Sequence, residues 1–356
     1  MAHVDYKKEL AALIDIVAAE NGSDIHLSVG VPPTIRVAGS LIPLTKKPVL
    51  VDADAMGFID VLLNDEQKEG FHDTLEVDFS YAARDGMRFR GNGFYQRGSI
   101  SVALRLIPNA IKTFVELNLP PILETFTQRP QGFFLCVGPV GQGKSTTLAS
   151  MVELINQTRA EHIVTIEDPI EYIFEPKKSL IDQREVRVDT ADFQVALHSA
   201  FRQDVDVIMV GEMRGTETIG TAVTAAETGH LVLSTLHTND AAQTIDRIID
   251  SFPAGQQDQI RLQLSSSLAG IFSQRLIPRI SGGLIPAYEL LINNNAVANL
   301  IRERRTHEIR TVIETGLELG MIDMNRSLSD LVQRGEITVE NAFAFSVDPK
   351  ALERLM

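Results

Sequence analysis

The sequence predicts an α/β protein: a larger unit built on a parallel sheet, preceded by a smaller α+β module. Three observations predict this. From Gly132 onward the apolar runs "GFFLCV", "HIVTIE", "VDVIMVGE" and "HLVLSTL" alternate with helical stretches. Near-continuous apolar strands alternating with helices are the pattern of a parallel sheet covered on both faces. Before Pro108 the strand-like runs follow one another, separated by Gly, Pro and Asp, which reads as a largely antiparallel sheet. The 356 residues also exceed the usual limit for one hydrophobic core, so two domains are the default.

Taken in order, "MAHVDYKKELAALIDIVAAENGS" has the pattern of an amphipathic helix stopped at Asn21-Gly22. With Lys7, Lys8, Glu9 and Asp15 it is expected to be such a helix and not a signal peptide. Then come "DIHLSV", "TIRVAG", "EVDFSYAA", "MRFRGNGFYQ" and "ISVALRLI", with helical patterns at 52 to 70. This first domain is expected over 1–111. Residues 112–131, with prolines at 120, 121 and 130, are expected to be a linker and lead-in. The second domain is expected over 132–356. Within it "ADFQVALHSAFRQ" carries Phe193, Leu197, Ala200 and Phe201 at helical spacing, and from about 255 the pattern is mostly helical.

Composition excludes several classes. There are 47 acidic against 33 basic residues, a net charge of −14, which disfavours broad binding to nucleic acid or anionic lipid. The single cysteine rules out an intrachain disulfide framework and a cysteine-built zinc module. Cys136 lies inside "GFFLCVG" and reads as a small core residue. No apolar run reaches the ~18 to 20 residues needed to span a bilayer, so the expected location is the cytoplasm.

The strongest local signal is "GPVGQGKSTT", Gly138 to Thr147, which fits G-x-x-x-x-G-K-[ST] between a strand and a helix. Gly138, Pro139, Val140, Gly141, Gln142 and Gly143 would bring backbone N–H groups to phosphates, at a helix N-terminus that favours their charge. Lys144 would pair with the β- and γ-phosphates of ATP, the Ser145 hydroxyl would ligate Mg²⁺, and Thr146 completes the cradle.

The other strands end in polar groups: Glu167 with Asp168 and Glu171, then Glu212, then His237. Ligands of open parallel sheets bind at the carboxyl ends of the strands, so one crevice should collect them. His230 and His237 flank "LVLSTL" and are seven residues apart, on the order of 20 Å in a strand of 3.3 Å rise. They cannot share one metal. His237 is expected to hydrogen-bond the γ-phosphate and sense its loss; His230, at the other edge of the sheet, is either structural or a subunit contact.

Together "GPVGQGKSTT", "TIEDPIEY", "VGEMR" and "AETGHLVLSTLHTND" resemble the secretion ATPase superfamily, the hexameric motors of type IV pili and type II secretion. The opening "SDIHLSVGVPPTIRVAG" and the closing "TGLELGMIDMNRSLSDLVQRGEIT" extend the resemblance to the pilus retraction (twitching-motility) branch over essentially the whole length. It implies a PAS-like N-terminal domain, a RecA-like P-loop ATPase domain, a homohexamer, and an inner-membrane pilus platform protein as partner. Such a protein would lie peripherally at the pilus base and work beside a paralogous retraction or assembly ATPase. "TIEDPIE" matches the aspartate box, "IMVGE" the Walker B segment, and the two histidines the histidine box. Glu212 would then orient the attacking water, and Glu167 would help hold Mg²⁺ or its water shell. Arginines of "MRFRGNGFYQRGSISVALRLI", Arg90 and Arg97 before Arg88 and Arg105, would reach the nucleotide of the neighbouring subunit.

Some positions depart from the family pattern. Val140-Gly141-Gln142 stands where T-G-S is usual, Val205 where proline is, and Gly215 where aspartate could pair with Arg214. Ala298 in "AVANLIRE" takes the place of an arginine needed for retraction, which opens the reading of an accessory retraction motor. Assembly or secretion motors usually add a long N-terminal region and a tetracysteine module. A RecA-like DNA motor is disfavoured by the acidic balance and by 6% aromatic content. A nucleotide-dependent regulator would bind ATP without turnover.

Overall fold

The computed structural model describes residues 4–37, 39–83, 86–107, 110–213 and 215–356. The ion pair considered for Arg214 lies outside them. The chain divides into two compact units, residues 1–110 and 111–356.

The first unit begins with helix α1 (Tyr6–Ala19), N-capped by the Asp5 side chain. The chain turns at Asn21 with φ 51° and enters β1 (Gly22–Ser28). Then follow β2 (Thr34–Val37), β3 (Ser40–Pro43), α2 (Asp52–Leu62), α3 (Asp65–Thr74), β4 (Glu76–Ala82), β5 (Arg88–Gln96) and β6 (Ser99–Ile107). The sheet order is β3-β2-β1-β6-β5-β4, antiparallel throughout. Leu10, Leu13 and Val17 of α1 and Phe58 of α2 pack on Ile25, Leu27 and Leu104 of the sheet. That is the expected α+β module with one strand more, β3, whose four residues are all exposed and so show no inward-facing apolar pattern.

The second unit opens with Phe114, Leu119 and Leu123, buried against its core, so the segment read as a linker is packed. Its elements are α4 (Glu124–Thr127), β7 (Gly132–Val137), α5 (Lys144–Thr158), β8 (His162–Glu167), β9 (Leu180–Glu185), α6 (Phe193–Ala200) and β10 (Val207–Val210). They continue with α7 (Thr216–Glu227), β11 (Leu231–Leu236), α8 (Ala241–Asp250), α9 (Gln257–Ser267), β12 (Leu268–Pro278) and β13 (Leu284–Ile292). Helices α10 (Asn295–Arg302), α11 (Ile309–Thr315), α12 (Met324–Gln333), α13 (Val339–Phe345) and α14 (Pro349–Glu353) close the chain.

The sheet order is β13-β12-β7-β11-β10-β8-β9, parallel from β12 to β9 with β13 antiparallel at the edge. Alternate residues of β7 feed two cores: Phe133, Leu135 and Val137 on one face, Phe134 and Cys136 on the other. Cys136 is fully buried and its thiol is pushed up to about 12 by burial, the behaviour of a core residue. Among the described residues no helix is long and apolar enough to cross a membrane.

The expectation of a mostly helical region after 255 is corrected. "QIRLQLSSS" is helical as α9, but "LAGIFSQRLIP" is the strand β12, and β13 pairs with it. The apolar run Leu268 to Phe272 is buried beside β7, and this burial overrides a pattern that suits a helix equally well. Gly270 marks the close approach, since a Cβ there would meet the Phe126 ring at 2.7 Å and the Leu291 carbonyl oxygen at 2.8 Å.

Candidate nucleotide site

The parallel strands β7, β8, β10 and β11 run the same way, so the segments that follow them emerge at one edge of the sheet. β7 is the switch point: the chain leaves it for β8, three places away, and returns beside it as β11 on one side and β12 on the other. The Gly138–Gly143 loop follows β7, and α5 starts at Lys144.

Gly138 has φ 146°, and a Cβ there would lie 2.4 Å from the Gln274 carbonyl oxygen of β12, so only glycine lets the loop leave the sheet at this angle. The buried Lys144 Nζ donates to the carbonyls of Gly138 and Pro139, each at 2.8 Å, and lies 3.4 Å from His237 Nδ1. An ammonium only donates, so Nδ1 is the acceptor of that contact and the neutral ring carries its proton on Nε2. His237 Nε2 is 3.7 Å from Glu212 Oε2. Burial draws the Lys144 ammonium below its usual value, opposed by the nearby Glu171 and Glu212 carboxylates. Lysine, imidazole and Glu212 therefore meet at the carboxyl ends of β7, β10 and β11, as the strand-end argument expects.

Glu167, at the end of β8, is buried. Its Oε1 accepts from the Thr165 hydroxyl at 2.8 Å and from Gln183 Nε2 at 3.3 Å, and its Oε2 accepts from the Glu171 N–H at 3.2 Å. Burial pushes its pKa up to about 7 against the opposing effect of these bonds. A carboxylate offers about four acceptor positions; three protein donors use it here, which leaves one acceptor position unused by them. Among the described residues no group of three His, Cys, Asp or Glu forms a metal cluster. Mg²⁺ beside phosphates needs none, since one or two hard oxygen ligands and the substrate phosphates suffice. The Ser145 hydroxyl and Glu167 are of that type. Thr146 shares a hydroxyl–hydroxyl contact of 2.8 Å with Tyr172, which ties the loop helix to the segment after β8.

The histidines separate as expected. His230 stands at the start of β11, where Nδ1 is 3.1 Å from the Ala225 carbonyl and the ring meets Phe201 edge-on at 5.5 Å. The arginines belong to the first unit. Arg90 is exposed on β5, and Arg105 of β6 is committed to Asp24 at 2.9 Å. Arg97, read with the other arginines of this strand-forming segment as lying on a strand, sits instead in the two-residue turn joining β5 to β6, with φ 50° followed by Gly98 at 82°. Two successive left-handed residues are what a tight hairpin of this kind requires.

Sequence reasoning missed the side chains that hold these groups. The Thr235 hydroxyl donates to the Gly211 carbonyl at 2.7 Å, fixing the turn that carries Glu212. On β13, the buried Glu289 accepts from the Ala241 N–H at 2.8 Å and so anchors the segment after His237. The available signal was a polar residue inside an otherwise apolar strand, as at Thr165, Thr235 and Glu289.

Glu289 also carries a pH dependence. Burial pushes its pKa up to about 7, reinforced by Asp240 and Asp323 and opposed by Arg310. Between pH 4.5 and 7 the folded state keeps a proton that the unfolded chain releases, so this group costs stability as pH rises through that window and fully above it. Glu289→Gln keeps an acceptor for Ala241 and removes the ionisation. It is expected to stabilise by about 1–3 kcal/mol at pH 8 and by little at pH 5, read from urea melts. Equal effects at both values would refute this.

Comparison with known proteins places the chain. Residues 95–325 match the family described as type II/IV secretion system protein. The chain is 45% identical to the type IV pilus retraction ATPase PilT of Pseudomonas aeruginosa, over 94% of this chain and 97% of that one. It is 40% identical to the type IV pilus ATPase PilU of the same organism, over 94% of this chain and 88% of that one. It is also similar to a crystal structure of the pilus retraction motor PilT with bound ADP, with TM-score 0.90 and 47% identity, covering 96% of this chain and 98% of that one. The chain thus belongs to the type II/IV secretion system protein family, as a P-loop ATPase of the pilus retraction branch.

Proposed function

We propose that this chain is a motor ATPase that hydrolyses ATP to power retraction of type IV pili. The observation that carries the reading is the cluster of Lys144, His237 and Glu212, with His237 Nδ1 3.4 Å from the lysine and Nε2 3.7 Å from the carboxylate. Phosphoryl transfer is mostly positioning and charge stabilisation. Loop N–H groups and Lys144 would bind the β- and γ-phosphates. Ser145 and Glu167 would hold Mg²⁺, which when bound neutralises charge between those phosphates. Glu212 would align the attacking water and accept its proton, and His237 would hydrogen-bond the γ-phosphate and report its departure to α8. Arg90 and Arg97 would come from a neighbouring copy, so turnover would depend on a ring of six. His230 would serve the structure or a contact between copies.

The partners consistent with this role are an inner-membrane pilus platform protein and a paralogous ATPase, with the chain in the cytoplasm at the pilus base. A second reading is an accessory retraction motor. Ala298 on α10 is buried and supplies no guanidinium at the place where the family carries one. The test is deletion of the gene with surface pili counted. Hyperpiliated cells without twitching are expected; bald cells would mean assembly and overturn the retraction reading. Unchanged pili with weakened motility would favour the accessory role.

A further inference from the structure

Strand β12 lies beside β7, and its Gln274 side chain, 3% exposed, faces the phosphate loop. Its Oε1 accepts from the Thr147 hydroxyl at 2.7 Å and its Nε2 donates to the Gln142 carbonyl at 2.8 Å. Gln142 returns the contact: its Oε1 accepts from the Leu276 N–H at 2.7 Å. The Gln274 carbonyl also packs against Gly138, as described above. The start of the loop, its fifth residue and the first turn of α5 are thus referenced to two residues of one strand. Neither glutamine side chain has a part in the chemistry derived so far.

We propose that Gln274 is a positioning residue for the nucleotide, its amide and that of Gln142 holding the phosphate loop in the shape that receives phosphates. This rests on the ATPase reading of the site. The argument is chemical. Gln274 bridges a hydroxyl donor and a carbonyl acceptor, so its side chain must accept at one atom and donate at the other. A carboxamide does this at every pH, whereas a carboxyl of the same shape does so only while protonated. An ionised glutamate of the same shape would turn a second acceptor on the Gln142 carbonyl, and a buried polar group left without its partner is costly. The same β12 continues to Pro278, whose carbonyl accepts from Asn341 of α13, so the strand that fixes the loop also touches the C-terminal helices.

The test compares wild type, Gln274→Glu and Gln274→Met in the full chain, titrating Mg²⁺-ATP between pH 6 and 8.5. At pH 8 the Glu variant is expected to raise KM about tenfold over wild type with kcat within about twofold. Burial raises the pKa of the introduced carboxyl, and its protonated form can donate again, so the ratio should fall to about twofold near pH 6. The Met variant keeps the volume without the polar atoms and should raise KM at every pH. A KM equal to wild type in both variants overturns the proposal. So does a Glu variant whose KM ratio ignores pH, since that is a packing effect. If Gln274→Glu fails to fold, Gln274→Met and Gln142→Ala are read alone, and an unchanged KM in both is decisive against it. The dissociation constant of ADP, taken on the same samples, carries the same comparison. A wild-type chain without turnover therefore sinks the ATPase reading while leaving this one testable.

Discussion

Lys144→Ala is expected to bring ATP hydrolysis below detection and to abolish pilus-dependent motility. The ammonium is buried at the start of α5, with its three N–H groups directed to two loop carbonyls and to His237. Among the described residues of Gly138 to Thr147 it is the only cationic side chain. Removing one fixed donor that faces developing negative charge costs about 10²–10³ in rate, and loss of the charge weakens phosphate binding as well. Stability should move little, by about 2–4 °C in melting temperature, the equivalent of ~1 kcal/mol in a unit of this size. The readouts are phosphate release, nucleotide fluorescence and a thermal melt on the same preparation. A variant that retains more than a tenth of wild-type turnover would remove Lys144 from the mechanism.

Glu212→Gln should separate binding from chemistry. The carboxylate lies at the end of β10, beside the Nε2 of an imidazole whose other nitrogen faces the lysine. Glutamine keeps the shape and two polar atoms but cannot take a proton from water. A positioned general base is worth about 10²–10⁴, so kcat should fall by that factor while the ATP dissociation constant stays within about threefold. Such a variant should hold ATP without hydrolysing it. A kcat within tenfold of wild type would transfer the role of aligning water to another group. Equal losses in affinity and turnover would make Glu212 structural.

The parts of this account that could be read in the sequence were those set by local pattern. The glycine-rich loop, the strand-helix rhythm and the polar strand ends are local features, and the topology of a parallel sheet brings them to one edge. What could not be read depends on who covers whom. Leu268 to Phe272 is apolar enough for a helix or a strand, and only its place beside β7 makes it β12. The exposed edge strand β3 has no alternation to detect. Arg97 sits between two strand-forming runs, and its left-handed backbone follows from the tight register of Gln96 with Ser99. Gln274 and Glu289 act across the sheet, on the loop after β7 and on the segment after β11, at sequence separations of 132 and 48 residues. No local window shows such a contact.

The most direct measurement is an experimental structure of the assembled protein with Mg²⁺ and a non-hydrolysable ATP analogue. The account predicts Lys144 Nζ within hydrogen-bonding distance of the β- and γ-phosphate oxygens. It also predicts Glu212 and His237 facing the γ-phosphate from β10 and β11, and Glu167 reaching the metal directly or through one water. A triphosphate bound elsewhere, or with Glu212 and His237 turned away from its terminal phosphate, would contradict it.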